Sequence, residues 1–193
     1  EKKQRKIYAA MVSAVDDGVG RVLKTLREKE IEKDTIVVFL SDNGGPTTKN
    51  GSNNAPLRGG KGDAWEGGWR VPFAMQWPGG LPKGKTYSHP VVSLDIMATI
   101  VALTKAPVAK ECPLDGVNLV PFLTGKKKEP PHQGIFLRKF DSESTAVRSG
   151  ERKLVTYDNK DYTGLFDLTE DISESKNIRD QTPKDVARLK SLW

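Results

Sequence analysis

Thr35-Ile36-Val37-Val38-Phe39-Leu40-Ser41-Asp42-Asn43-Gly44-Gly45 decides how the chain is read. Ile36 to Leu40 are consecutively apolar and mostly β-branched or aromatic, which marks a strand. The lack of polar alternation predicts burial on both faces, as in a parallel sheet. The run then stops in a polar, glycine-rich turn. In open α/β sheets, ligands bind beyond the carboxyl ends of strands. Asp42 and Asn43 stand at such an end. Upstream, Ile7, Met11, Val15, Val19, Val22 and Leu26 recur at helical spacing and predict an amphipathic helix over 8–30. Lys24, Arg27 and Lys29 crowd its carboxyl end, which suits the helix dipole.

Downstream, residues 47–70 form a long polar loop, a length that is usually functional. A strand is expected over 71–77, ended by Pro78-Gly79-Gly80, and a helix over 93–104 with Asp95 in its first turn. Gly125-Lys126-Lys127-Lys128-Glu129-Pro130-Pro131 reads as a charged connector, and a domain boundary is placed there. Beyond it come short strands over 134–140, 144–149, 153–157 and 164–168, with turn residues between them. Thr182-Pro183 opens a last helix with an N-cap and a first-turn proline.

The 193 residues carry a net charge of +6 and one cysteine, Cys112. The apolar content is sufficient for a packed core, which excludes an intrinsically disordered chain. A disulfide framework within the chain is also excluded. No apolar run reaches the ~18 residues a membrane helix needs. The charge has a bland reading, a solvated basic surface, and a functional one, attraction to an anionic substrate. No nucleic-acid motif accompanies it. The charged opening, Glu1-Lys2-Lys3-Gln4-Arg5-Lys6, has neither Met nor signal peptide and reads as the middle of a longer protein.

Three elements could carry chemistry. Asp42 and Asn43 offer one charged and one neutral oxygen donor, as hard cations such as Ca²⁺ or Mg²⁺ require. Asp-Asn-Gly-Gly is equally ordinary turn chemistry. In Leu57-Arg58-Gly59-Gly60-Lys61-Gly62, glycines around a lysine could let backbone and ammonium approach an anion. A mobile loop with a solvated lysine is the plainer reading. In Trp65-Glu66-Gly67-Gly68-Trp69-Arg70-Val71-Pro72, a Glu66–Arg70 ion pair that fixes the loop is expected. Trp65 and Trp69 read as core residues or as walls of a sugar site. His89 and His132 lack metal-ligand spacing and read as surface residues.

Together, in this order, these motifs resemble the formylglycine-dependent sulfatases of the alkaline phosphatase superfamily, over their C-terminal portion. Ser93-Leu94-Asp95-Ile96-Met97-Ala98-Thr99-Ile100, Asp115-Gly116-Val117-Asn118-Leu119 and Leu165-Phe166-Asp167-Leu168-Thr169-Glu170-Asp171 extend the likeness. The resemblance implies the end of an α/β/α sandwich over residues 1–125 and a linker at 126–133. A small α+β domain, a four-stranded antiparallel sheet with a C-terminal helix, is implied over 134–193. It implies that Asp42 and Asn43 are calcium ligands and that Lys61 contacts the sulfate group. Arg58, Glu66 and Arg70 would support the loop. Asn43 stands where zinc-dependent relatives commonly carry His, and an amide oxygen suits Ca²⁺ better than Zn²⁺.

The Cys/Ser-x-Pro-x-Arg motif that yields formylglycine does not occur, and Cys112-Pro113-Leu114 does not fit it. The family's paired N-terminal Asp ligands and catalytic histidines have no counterpart. A sulfatase fragment, without turnover by itself, is therefore expected, with the nucleophile in a preceding segment. Its substrate would be a sulfated glycan or an aryl sulfate, and its location extracytoplasmic. Two alternatives are a non-catalytic module that binds sulfated glycans and a phosphonate- or phosphate-ester hydrolase.

Overall fold

A computed structural model describes residues 2–47, 50–141 and 143–193. Helix α1 (Lys2–Glu28) leads through a 3₁₀ turn (Glu32–Asp34) into strand β1 (Val37–Leu40). The helix stops where Glu30 turns left-handed (φ 59°) and Ile31 N–H reaches back to the Leu26 carbonyl at 3.1 Å. That geometry satisfies a carbonyl the helix leaves open at its end. The loop after β1 holds one helical turn, α2 (Glu66–Trp69), and returns as β2 (Phe73–Gln76). Helix α3 (Leu94–Thr104) and a short turn, α4 (Val120–Leu123), follow.

β1 pairs with β2 in antiparallel fashion, Val37 opposite Gln76 and Leu40 opposite Phe73. The run over 36–40 thus departs from the doubly buried parallel strand expected of it, and Phe39 is 44% exposed. The ends of the long connection are tied to each other, Ser41 N–H donating to the Pro72 carbonyl at 3.3 Å, and this returns β2 alongside β1 in the opposite direction. Among the described residues, β1 has no second partner strand.

The remaining strands form a meander in the order β3 (Ile135–Lys139), β4 (Ser144–Ser149), β5 (Arg152–Tyr157) and β6 (Tyr162–Asp167). Helix α5 (Pro183–Ser191) closes the chain. Thr182 stands at its N-cap, but its hydroxyl donates backward to the Ile178 carbonyl at 3.0 Å.

Because side chains alternate across a strand, the sheet has two distinct faces. Val147, Leu154 and Leu165 lie in register on one face and bury against Leu189 and Val186 of α5. Ala146, Val155, Tyr157 and Phe166 point the other way and pack around Trp65 and Ala64 from the loop after β1. Arg148, Lys153 and Phe166 are register partners on that second face. The alternation thus sends two cations toward the loop.

Candidate active site

The loop after β1 is laced to itself through its backbone. Ser41 N–H donates to the Pro72 carbonyl at 3.3 Å, Gly44 N–H to Gly68 at 2.9 Å, and Gly67 N–H to Arg58 at 2.7 Å. At Gly44 a side chain is impossible, since a Cβ would lie 1.7 Å from the Gly67 carbonyl oxygen. The glycines let three backbone segments touch.

This lacing joins the two motifs that the sequence keeps apart. Lys61 N–H donates to the Gly45 carbonyl at 3.3 Å, two residues beyond Asn43. Asn54 completes the junction. Its Oδ1 accepts from Gly45 N–H at 3.0 Å, and its Nδ2 donates to the carbonyls of Gly45 and Gly59 at 2.8 and 3.0 Å. Nothing in the spacing of Asn54 marks it for this task. Its signal is chemical: an amide can answer a backbone N–H and a carbonyl at once.

Asp42 and Lys61 are both exposed, and Asn43 is half-buried. Among the described residues, the Asp42 carboxylate accepts no hydrogen bond and the Lys61 ammonium has no carboxylate partner. Asn43 Nδ2 donates to the Gly44 carbonyl at 3.1 Å, which leaves its Oδ1 able to accept. The donor set therefore suits a hard cation: one carboxylate and one amide oxygen, neither occupied by a protein donor. Among the described residues there is no group of three His, Cys, Asp or Glu side chains placed to hold a metal. Asp42 and Asn43 would fill a minority of the 6–8 positions that Ca²⁺ takes.

Glu66 is fully buried, and the expected Glu66–Arg70 pair is present at 3.4 Å. It is the longest of Glu66's ion pairs. Arg148 Nη1 lies 3.1 Å from Oε2 and Lys153 Nζ lies 3.0 Å from Oε1. Lys153 also meets Glu174 Oε1 at 2.7 Å, while Glu66 N–H donates to Glu174 Oε2 at 2.6 Å. Burial pushes the Glu174 carboxyl up, and the Lys153 ammonium opposes that shift. Buried charges persist only when paired this closely. The network pins α2, and with it the loop, to the four-stranded sheet. Arg58 adds a second fastening. Its guanidinium stacks 3.6 Å from the Trp65 ring centroid and donates to the Glu174 carbonyl at 2.8 Å. Arg58 and Glu66 both tie the loop to residues outside it.

Trp65 is a core residue, since Tyr157, Tyr162 and Phe166 ring it at 5.6–5.8 Å and Arg58 covers its face. His132 is not the surface residue its sequence suggested. Its Nε2 lies 3.0 and 2.9 Å from the two oxygens of the buried Asp95 carboxylate. Asp95 also accepts from Val92 N–H and Val117 N–H, both at 2.9 Å. A carboxylate sunk at a helix start needs several donors, and a sequence-distant histidine supplies one.

Comparison with known proteins identifies the family. The family model described as "Sulfatase" matches residues 1–106, and the model "N-sulphoglucosamine sulphohydrolase, C-terminal" matches residues 61–191. Human steryl-sulfatase is 33% identical over 142 residues, 70% of this chain and 24% of that protein. The uncharacterized sulfatase YdeN of Escherichia coli is 32% identical over 176 residues, 86% of this chain and 30% of that protein. The crystal structure of Ps i-CgsB in complex with k-i-k-neocarrahexaose superposes with a TM-score of 0.90 at 37% identity. It covers 98% of this chain, which spans 42% of its partner. The chain therefore spans less than half the length of these relatives. With both halves of its sequence matched in order, and its fold reproduced almost end to end, this chain belongs to the sulfatase family.

Proposed function

We propose that this chain supplies the C-terminal share of an active site that hydrolyses a sulfate ester, R–O–SO₃⁻, to an alcohol and sulfate. Asp42 and Asn43 would contribute oxygen donors to a calcium ion, with Mg²⁺ the lesser fit. Lys61 would hold the sulfate oxygens. The observation that carries this reading is the bond from Lys61 N–H to the Gly45 carbonyl, which fastens the lysine loop beside the Asp42–Asn43 turn.

A calcium ion bound there supplies fixed positive charge against which sulfate oxygens are held and polarised. Lys61 adds a second positive group at an exposed position, with no carboxylate partner among the described residues. Charge that develops on those oxygens during transfer is best met by donors already in place. Asn54, Arg58 and Glu66 keep them in place by fixing the loop backbone. The nucleophile, formylglycine by resemblance, would come from a segment preceding this chain. A sulfated glycan is the favoured substrate class. The net charge of +6 suits it, and a relative that superposes closely holds a hexaose. An extracytoplasmic location follows from the same resemblance.

Two measurements on the enzyme that carries this chain test the reading. Asp42→Ala should abolish measurable calcium binding at this site in titration calorimetry. Substrate profiling should show sulfate esters preferred over phosphate and phosphonate esters. Preference for a phosphorus ester would replace the reading with a phospho- or phosphonohydrolase.

A further inference from the structure

Lys61 stands at the tip of a tight turn, and a carboxylate closes the base of that turn. Asp63 N–H donates to the Gly60 carbonyl at 2.9 Å, which joins the ends of Gly60-Lys61-Gly62-Asp63. Gly62 sits at φ +89°, as the third position of a type II turn requires, and Lys61 before it has no positive φ. The Asp63 side chain closes the same turn a second time: its Oδ2 accepts from Gly60 N–H at 2.8 Å. Gly60 and Asp63 thus hold each other by two reciprocal hydrogen bonds, and Lys61 is carried between them.

The carboxylate has a place made for it. A Cβ at Gly59 would lie 2.7 Å from Asp63 Oδ2, so the side chain that residue 59 lacks leaves the space the carboxylate fills. Both flanks of the turn are fixed as well. The Gly59 carbonyl accepts from Asn54 Nδ2 at 3.0 Å, and Ala64 N–H donates to the hydroxyl of the buried Tyr157 at 3.2 Å. Lys61 itself is exposed. Among the described residues it has no carboxylate partner, Asp63 included, although one residue separates the two. A carboxylate oxygen held by a backbone N–H makes a strong, charge-assisted bond. Asp63 therefore serves the backbone, and the ammonium stays open to an anion from outside.

We propose that Asp63 is a positioning residue for sulfate-ester hydrolysis. It sets the turn that aims the Lys61 ammonium and touches neither the substrate nor the reacting atoms. This rests on the sulfatase reading, which gives Lys61 the sulfate oxygens. What Asp63 supplies is an acceptor at a fixed place, not a charge. Its effect on rate comes from orientation, since a misplaced charged group stabilises the transition state less than one already in place.

The test is kcat/KM for 4-nitrophenyl sulfate with the enzyme that carries this chain, in a double-mutant cycle with Lys61. Asp63→Ala should lower kcat/KM about tenfold. Asp63→Asn, whose amide oxygen can still accept from Gly60 N–H, should recover most of that loss. In a Lys61→Ala background, Asp63→Ala should cost less than about twofold, because the group it aims is gone. Gly62→Ala strains the same turn and leaves the carboxylate in place. Its Cβ would meet only the flexible end of Lys139, at 3.4 Å, while the positive φ disfavours any side chain. It should reproduce both the loss and its dependence on Lys61, and it decides the matter should Asp63→Ala fail to fold. Three results would each overturn the proposal: an unchanged kcat/KM in folded Asp63→Ala, an equal loss with and without the Lys61 ammonium, or Asp63→Asn as slow as Asp63→Ala. Failure of the sulfatase reading looks different. The unsubstituted enzyme would then hydrolyse no sulfate ester, and the role of Asp63 would fall with it.

Discussion

The four-stranded sheet is covered on both faces, by α5 on one side and the Trp65 loop on the other. The elements before the loop are covered far less. In α1 the apolar stripe lies open, with Met11 64% exposed, and Leu94, Met97 and Ile100 of α3 are exposed too. The two regions share the same residue vocabulary, and only one closes a core with it. Cohesion within this chain is thus concentrated in the sheet, and the candidate site borrows it. Asp42 and Lys61 sit on a loop that the sheet clamps from behind.

The largest effects are therefore expected where the loop meets the sheet. Lys153→Ala would leave Glu66 and Glu174 buried against one fewer cation. It should cost about 3–5 kcal/mol, measured by denaturant unfolding. A loss below about 1 kcal/mol would show that the network is not what clamps the loop. Trp65→Ala should cost a similar ~3–5 kcal/mol by emptying the core on that face. Next comes the Asp95–His132 contact. His132→Ala leaves a buried carboxylate short of one donor and should cost about 1–3 kcal/mol.

A smaller, pH-dependent effect belongs to the turn that presents Glu174. Burial would raise the Asp171 carboxyl, but hydrogen bonds from Lys176 N–H, Ser173 and Ser175 outweigh it and hold the pKa at about 2. A carboxyl held below its ordinary value of 3.8 stabilises the fold above that value. The contribution is lost as the pH falls toward 2. After screening by solvent it is on the order of 1 kcal/mol. Asp171→Asn should remove that part of the acid dependence, visible as a flatter stability profile between pH 4 and about 2. The smallest effect is expected in the open region. Met11→Ala should change stability by about 0.5 kcal/mol or less in this chain. A loss comparable to that of Trp65→Ala would erase the contrast between the regions.

What the sequence made legible follows the same division. The strands of the meander announce themselves by local alternation and turn residues, and they fall within about two residues of expectation. The Asp42–Asn43 turn and the Lys61 loop were legible as motifs. Their junction was not, because Asn54 acts through backbone groups that no local pattern marks. The clamp was not legible either. Lys153 and Glu174 lie far from Glu66 in sequence, and a lysine in a strand reads as a solvated face until the register shows where it points. His132 failed for the same reason, since its partner Asp95 comes from another element. The parallel-sheet expectation for 36–40 failed because an apolar run reports how a strand could be buried, not what this chain places against it.

If the loop holds Lys61 beside Asp42 and Asn43 as a sulfate-ester site, removing that ammonium must slow the reaction. The most direct test is the kcat/KM for sulfate-ester hydrolysis by the enzyme that carries this chain, with and without Lys61→Ala. Loss of one preorganised positive group should lower it about 10²–10³-fold with calcium binding retained. An unchanged kcat/KM in a folded Lys61→Ala enzyme would show that Lys61 takes no part in sulfate-ester hydrolysis.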